Sequence, residues 1–412
     1  MRGQLRLVGI GDDGCLSLTS RAMNAISEAE VLAGSERHLA FVPQYTGQKL
    51  AMTSPLSGFI TQVVELASRQ DVCVLASGDP LFFGIGQLLL KAAAKANVDV
   101  DIIPSLSSVQ LACARYGWSS QQLTMLSVHG RSLTGLVAKL QQADEFALLT
   151  DGVNSPQVVA AHLLTFAETH WQIHVCEALG GVDERCRTFT VAELVAGEAG
   201  EVNPLNLMLL RRGDQAPWNG KPGHVADEEY AKRIPSQGLI TKAPIRAVAI
   251  ANLNLTPDSI MWDIGTASGS VAIESAKQAW RGQIYAIECN SDCFEMLAAN
   301  RELHKVDNMN IIKHKAPDGL ADLPAPDAVF CGGSRGQMSA IFTHVMQVLK
   351  TGGRFIVSAV TLDSVTELFN LCRQHEIEPQ ILMLNISKTK PLAHYTCYQA
   401  ENPIHLFIIE KR

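Results

Sequence analysis

The sequence predicts an α/β protein built of two successive domains. Short apolar runs alternate with longer amphipathic stretches from one end to the other, the signature of strands and helices in turn. One segment breaks the alternation: RRGDQAPWNGKPGHVADEEY (211–230) is rich in Gly, Pro and charge and has no period, so it reads as a linker. The alternation then restarts with seven apolar runs, which suggests a doubly wound, Rossmann-like sheet. A chain of 412 residues, at roughly 150 per domain, is expected to hold two or three domains. The division is drawn as 1–212, a linker at 213–228, and 229–412.

In the first part, strands are expected at LRLVGIG (5–11), VCVLAS (72–77), VDVDIIP (98–104), LTMLSVHG (123–130), EFALLTD (145–151), QIHVCEAL (172–179) and LNLMLLRR (205–212). In the second they are SIMWDIG (259–265), QIYAIEC (283–289), MNIIKHKA (309–316), DAVFCGG (327–333), RFIVSAV (354–360), ILMLNIS (381–387) and HLFIIEKR (405–412). Helical stretches or loops separate the first six of these. The last two are joined by a polar segment without helical period, which suggests an antiparallel hairpin at the sheet edge.

Composition narrows the function. With 47% hydrophobic and 18% charged residues the chain is globular, not disordered. No apolar run reaches the ~18 residues of a membrane-spanning helix. The opening MRGQLRLVGIG has too short an apolar stretch for a secretory signal. No membrane partner and a cytoplasmic location are expected. The net charge is −7, and the part up to residue 213 carries 15 Lys+Arg against 20 Asp+Glu, the rest 19 against 21. Neither half has the basic excess of a nucleic-acid binder. The ten cysteines include no CxxC pair, and no His cluster stands at metal-ligand spacing. Reduced core cysteines and no metal are expected.

Three strand-exit loops carry the chemistry of the first part. Residues 9–14 read Gly-Ile-Gly-Asp-Asp-Gly, a formal GxGxxG. Asp12 and Asp13 stand where a pyrophosphate would approach, and carboxylates beside phosphates repel. A NAD(P) site is therefore disfavoured, and a tight structural turn remains open. SGDPLFFGIG (77–86) follows the next strand candidate. Gly78 permits a left-handed turn, Pro80 suits a helix start, and Asp79 is either a ligand contact or a helix cap. PSLSS (104–108) offers Ser107 and Ser108 as ligand contacts or as caps of the next helix.

These loops, with LSVHGR (126–131), LGGVDER (179–185) and NPLNL (203–207), resemble the tetrapyrrole methylases, and specifically their corrin-pathway branch. The resemblance covers nearly all of 5–212. It implies two α/β subdomains with S-adenosylmethionine (SAM) between them. The implied SAM contacts are Gly9, Gly11, Gly78, Asp79, Pro80, Ser107, Ser108, Pro204 and Asn206.

In the second part, Asp263-Ile-Gly265-Thr266-Ala267-Ser268-Gly269 ends an apolar strand, and Glu288 ends the next. An acid at that position can accept hydrogen bonds from ribose hydroxyls. Asp263 is again an acid where a pyrophosphate would be repelled, whereas the cationic sulfonium and amino groups of SAM tolerate it. A NAD-type fold or a structural turn stays open on these residues alone. With LITKAPIRA (239–247), HKAPDGL (314–320), PDAVFCGGSRG (326–336) and GGRFIVSAVTLDS (352–364), the segment 225–412 resembles the methyltransferase family that acts on precorrin-6B late in corrin synthesis. That family's SAM contacts map to Thr241, Gly265 to Gly269, Glu288 and Ala316. Two departures are Ala267 and Arg335, at positions where relatives often have glycine.

Together the resemblances imply a seven-stranded SAM methyltransferase fold fused behind a tetrapyrrole methylase. They imply methylation of C5 and C15 of a tetrapyrrole, loss of carbon dioxide from its ring C acetate, and precorrin-8 as the product on the way to cobalamin. The substrate's many carboxylates call for cations. Candidates are Arg37, Arg115, Arg131 and Arg185, then Lys242, Arg246, Arg335, Lys388 and Lys390. Arg335, in a Gly-rich strand exit, and His129, in SVHGR, are the candidates for a catalytic role. A homo-oligomer is expected. The rival readings are a NAD(P)-dependent oxidoreductase, a tetrapyrrole carrier without turnover, and a nucleic-acid methyltransferase.

Overall fold

The computed structural model describes residues 3–213, 223–232 and 240–412. Two five-stranded sheets form the first half. The strands are β1 (Leu5–Ile10), β2 (Val31–Gly34), β3 (Gln48–Ala51), β4 (Val72–Ser77), β5 (Val100–Ile103), β6 (Thr124–Ser127), β7 (Glu145–Leu149), β8 (Trp171–Glu177), β9 (Arg185–Thr190) and β10 (Asn206–Arg212). The first sheet has the order β3-β2-β4-β1-β5 with every pair parallel. The second has the order β6-β7-β10-β8-β9, parallel only between β6 and β7.

The central strands of the first sheet are largely apolar because both of their faces are covered. Leu5, Leu7, Val72 and Val74 pack with Phe59, Val63, Leu89 and Ala93 on one side. Their neighbours Val8, Ile10, Cys73 and Leu75 pack with Ala22, Ala25 and Ile26 on the other. The period of two thus feeds two cores from one strand. β2, β3 and β9 were not expected from sequence. The first two have four residues each, too short to show a period.

The second half adds β11 (Ile260–Ile264), β12 (Gln283–Ile287), β13 (Met309–Ile312), β14 (Ala328–Cys331), β15 (Arg354–Ala359), β16 (Gln380–Leu384), β17 (Ser387–Leu392), β18 (Tyr395–Ala400) and β19 (Ile404–Glu410). Seven of them form one sheet, β13-β12-β11-β14-β15-β19-β16, in which β19 is antiparallel to both neighbours. The two final strands expected from sequence do pair antiparallel. The last one inserts beside β15, so β16 is the edge. The polar segment between them folds as a separate two-stranded ribbon, β17 with β18.

Two compact units result. One comprises Met1–Ser132, Asp144–Ala161 and His170–Asp214, the other Leu133–Ala143, His162–Thr169 and Gln215–Arg412. Inside the second unit, the buried Asp307 accepts the backbone N–H groups of Val137 and Ala138 at 2.9 and 3.0 Å, and lies 3.0 Å from His162 Nε2. No helix among the described residues is long and apolar enough to cross a membrane.

Most of the expected linker, 214–222, lies outside the described residues. Its end is not a linker. Val225, Asp227 and Tyr230 are buried, because Arg246 gathers them. Arg246 is wholly buried in the helix Ala243–Leu253. Its Nε donates to Glu274 Oε1 at 2.6 Å and its Nη1 to Asp227 Oδ1 at 2.9 Å. It also donates to the carbonyls of Thr241 and Val225. Glu274 in turn accepts from Val225 N and Tyr230 Oη. Two carboxylates and two carbonyls thus surround one guanidinium, satisfying a charge that burial alone would make costly. Arg246 was a candidate substrate contact; the structure corrects this to a buried structural cation.

Arg246→Ala leaves Glu274 and Asp227 buried without the guanidinium that donates to both. The expected loss is about 3–5 kcal/mol, read as a lower urea midpoint. A loss under about 1 kcal/mol would show that the network does not hold the segment.

Candidate functional site

Each unit has a cleft at the carboxyl ends of its parallel strands, where open α/β sheets bind ligands. The first, of about 460 Å³, is walled by the exits of β1, β4 and β5 on one side. His129, Leu149, Cys176, Asn206 and Leu207 of the second sheet wall the other. Gly11, Gly78, Ser107, Ser108, Asn206 and His129 all come together there.

Local contacts explain each position. A Cβ on Gly9 would stand 1.8 Å from the Gly78 carbonyl, so the exits of β1 and β4 touch through backbone. Gly78 itself has φ 57°. Ser107 caps the helix Ser108–Tyr116 in a reciprocal box with Gln110, which fixes the third loop. Asn206 Nδ2 donates to Asn203 O at 2.7 Å, and its Oδ1 accepts from Thr150 Oγ1 at 2.5 Å. His129 Nδ1 lies 3.1 Å from the Thr150 carbonyl. A carbonyl only accepts, so Nδ1 carries the proton and a neutral ring has its lone pair on Nε2.

Arg37 and Asp12, both on the cleft wall, form an ion pair. The adjacent His38 is held neutral: burial, and then the Arg37 charge, push its pKa down to about 4. Arg115 and Arg185 pair with Glu184 and Glu177. Among the described residues Arg131 has no ion pair and is exposed. Four expected contacts do not line the cleft. Gly9 lies behind Gly78, and Pro80 O accepts from Gly86 N at 2.9 Å. Asp79 Oδ1 accepts from Leu81 N at 2.8 Å and so fixes its own turn. Pro204 sits in the turn closed by Asn206.

The second cleft, of about 410 Å³, is lined by Thr241, Lys242, Gly265, Thr266, Ala267, Glu288, Cys289, His314, Lys315, Ala316, Ser334, Arg335 and Ser358, with apolar neighbours. Glu288 organises it. Its Oε1 accepts from Cys289 N and Asn290 N at 2.9 and 2.8 Å, its Oε2 from Ala267 N at 3.0 Å. A carboxylate has about four acceptor sites, so one on Oε2 remains for a ligand hydroxyl. Gly265 has φ 72°, and a Cβ there would stand 2.6 Å from Gly333 O. Ala267 and Arg335, the two departures from glycine, both adopt left-handed backbone, φ 48° and 47°. This conformation is the reason glycine suits those positions.

Asp263, Ser268 and Gly269 do not line the second cleft. Gly269, φ 82°, packs where a Cβ would meet Leu297 at 2.5 Å, and the Ser268 carbonyl accepts from Asn300. Asp263 is buried beneath the loop, accepting from Thr266 Oγ1 at 2.5 Å and Ala272 N at 3.0 Å. Burial raises its carboxyl to about 7, against the pull of those two hydrogen bonds.

A model of the precorrin methyltransferase domain matches residues 234–411, and one of the tetrapyrrole (corrin/porphyrin) methylases matches residues 4–195. A precorrin-6Y C(5,15)-methyltransferase (decarboxylating) of Sinorhizobium sp is 31% identical over 97% of this chain and 94% of its own length. This chain belongs to that family. Two other relatives match less of it. A cobalt-precorrin-7 C(5)-methyltransferase of Salmonella typhimurium is 33% identical over 47% of this chain and 93% of its own length. A probable cobalt-precorrin-6B C(15)-methyltransferase (decarboxylating) of Sulfurisphaera tokodaii is 29% identical over 46% and 98%.

Precorrin-6Y methyltransferases are SAM-dependent enzymes of cobalamin biosynthesis, so the oxidoreductase and carrier readings are set aside. The residues present suit SAM. Each cleft is entered by backbone that only glycine allows, and in the second Glu288 keeps an acceptor position open for a ligand hydroxyl. Sequence reasoning missed the lining side chains Met52, Phe82, Phe83, Cys176, Cys289, His314 and Ser358. None stands in a spacing that distinguishes it from core or loop.

The folded-state carboxyl of Asp263 binds its proton more tightly than the unfolded one, whose ordinary value is 3.8. Between about pH 4 and pH 7 the folded state therefore holds more protons, and stability falls as pH rises. Asp263→Asn removes that slope. Urea unfolding of both proteins across this window checks it, and identical slopes would refute the assignment.

Proposed function

We propose that the two clefts divide the two methyl transfers. The tetrapyrrole methylase half methylates C5. The precorrin methyltransferase half methylates C15 and removes carbon dioxide from the ring C acetate, so that precorrin-6B becomes precorrin-8. Two observations support the division. Each unit holds its own glycine-walled cleft at strand ends. The separate C(5)- and C(15)-methyltransferase relatives each span just under half of this chain.

SAM supplies an electrophilic methyl on a sulfonium. The chain's part is to bind, align and exclude water, and orientation can provide most of the acceleration. In the first cleft, Gly11, Gly78 and Ser108 bring polar backbone and a hydroxyl to the donor side, and Asn206 faces them. His129, with Nδ1–H committed to Thr150, can take at Nε2 the proton released when a ring carbon is methylated. In the second cleft, Glu288 and the 265–267 turn form the donor side. Lys242, Lys315 and Arg335 also line that cleft, and they suit a substrate with many carboxylates. When the acetate leaves as carbon dioxide, its electron pair passes into the conjugated macrocycle, which then takes a proton. We also read the chain as a cytoplasmic homo-oligomer and, on its acidic balance, as one without a nucleic-acid partner.

Incubation of precorrin-6B with the protein and methyl-labelled SAM, followed by mass spectrometry, tests the division. Two labelled methyls gained and one carbon dioxide lost are expected. Gly78→Ala, which puts a Cβ 2.9 Å from Ser107 Cα, should lose only the C5 methyl. Glu288→Ala should lose the C15 methyl and the decarboxylation. If Gly78→Ala lost both methyls while still folded, the division would be wrong.

A further inference from the structure

Phe83 is out of place by two independent measures. Its backbone is left-handed, φ 52°, a conformation that a bulky side chain rarely adopts. Its ring is also 50% exposed, although it lines the first cleft. The loop does not require phenylalanine for its shape, since glycine would adopt the same backbone without strain. The ring is held in position by an edge-on contact with Phe82, centroids 5.0 Å apart at 90°. Two further apolar side chains of the same cleft stand in solvent: Leu106, 58% exposed, and Leu205, 42%. They come from the exit of β5 and the turn before β10, so three separate loops each bring one bare apolar group to the mouth.

We propose that Phe83 is a positioning residue for the tetrapyrrole, its ring forming with Leu106 and Leu205 an apolar rim on which one face of the macrocycle lies while the first cleft methylates it. The proposal rests on the division of labour given above. The first cleft is open to solvent at this rim, so an acceptor presented to a methyl donor held inside lies at its mouth. A conjugated macrocycle has the flat apolar face that an exposed aromatic ring and two leucines match. Its acid side chains would then lie outward, where Arg131, exposed two residues beyond His129, is free of ion pairs among the described residues.

The test uses the full chain, precorrin-6B and labelled SAM, with each methyl located by fragment mass spectrometry. Phe83→Gly is compatible with the backbone. It should raise KM for the macrocycle in C5 methylation about tenfold, the equivalent of one lost aromatic contact. SAM affinity by calorimetry, kcat at saturation and the initial rate of C15 methylation should stay within about twofold. Phe83→Trp should restore KM. Leu106→Gln, which leaves the loop backbone alone, should raise KM in the same direction. An unchanged KM in Phe83→Gly would overturn the proposal. So would a matching fall in SAM affinity, which gives the ring to the donor, or a change of oligomeric state with KM intact, which gives it to a second copy. If the unaltered protein methylates precorrin-6B at neither carbon, the functional reading itself fails, and that outcome is distinct from all of these.

Discussion

Both clefts depend on one constraint: two strand-exit loops pass each other with no room for a Cβ between them. In the first half a Cβ on Gly9 would come within 1.8 Å of the Gly78 carbonyl, and in the second a Cβ on Gly265 within 2.6 Å of the Gly333 carbonyl. The contacts are backbone on backbone, so no rotamer change relieves them. They bring the ends of neighbouring parallel strands together at the place where the sheet leaves a crevice. Two folds of different topology thus reach the same solution, because the requirement is the same. Polar backbone must approach a ligand more closely than side chains allow.

The carboxylates at these strand ends act first on the protein itself. Glu288 accepts from three backbone N–H groups on both sides of the second cleft, and Asp263 accepts from Thr266 and Ala272 beneath it. In the first half, Asp79 fixes its own turn through Leu81 N. Glu177 accepts from Asn203 N while pairing with Arg185 and Arg187. Each acid therefore sets loop geometry before any ligand arrives. A carboxylate tied to several backbone donors is a rigid acceptor, and that rigidity is what alignment of a methyl donor and a carbon nucleophile requires.

Much of this was legible in the sequence, for physical reasons. Fully covered parallel strands such as VCVLAS and IMWDI are continuous apolar runs, and glycine-bearing exits mark their ends. The order of those exits gave both resemblances. What escaped was either too short or too ordinary. Val31–Gly34 and Gln48–Ala51 are four residues each, and the cleft-lining Met52, Phe82 and Cys176 look like core residues. The end of the expected linker was misread because Asp227 and Glu229 look solvated. Their segment is folded through partners distant in sequence, among them Arg246, Glu274 and Asn300. Arg246 was assigned to a ligand because charge type is visible in a sequence, whereas pairing is not.

The two clefts differ in how they treat charge, and the difference suits the division of labour proposed for them. On the first wall the Arg37 guanidinium is already matched by Asp12 and the buried His38 is neutral, which leaves a surface suited to an uncharged ring face. The second cleft is lined by Lys242, Lys315 and Arg335 against the single acid Glu288, whose acceptor sites are mostly taken by backbone. A cation clamped on a carboxylate stabilises it as a carboxylate and so opposes its loss as carbon dioxide. The same cation on a neighbouring carboxylate costs the reaction nothing and holds the macrocycle still. Cations at the second cleft therefore serve decarboxylation best by gripping the acids that stay.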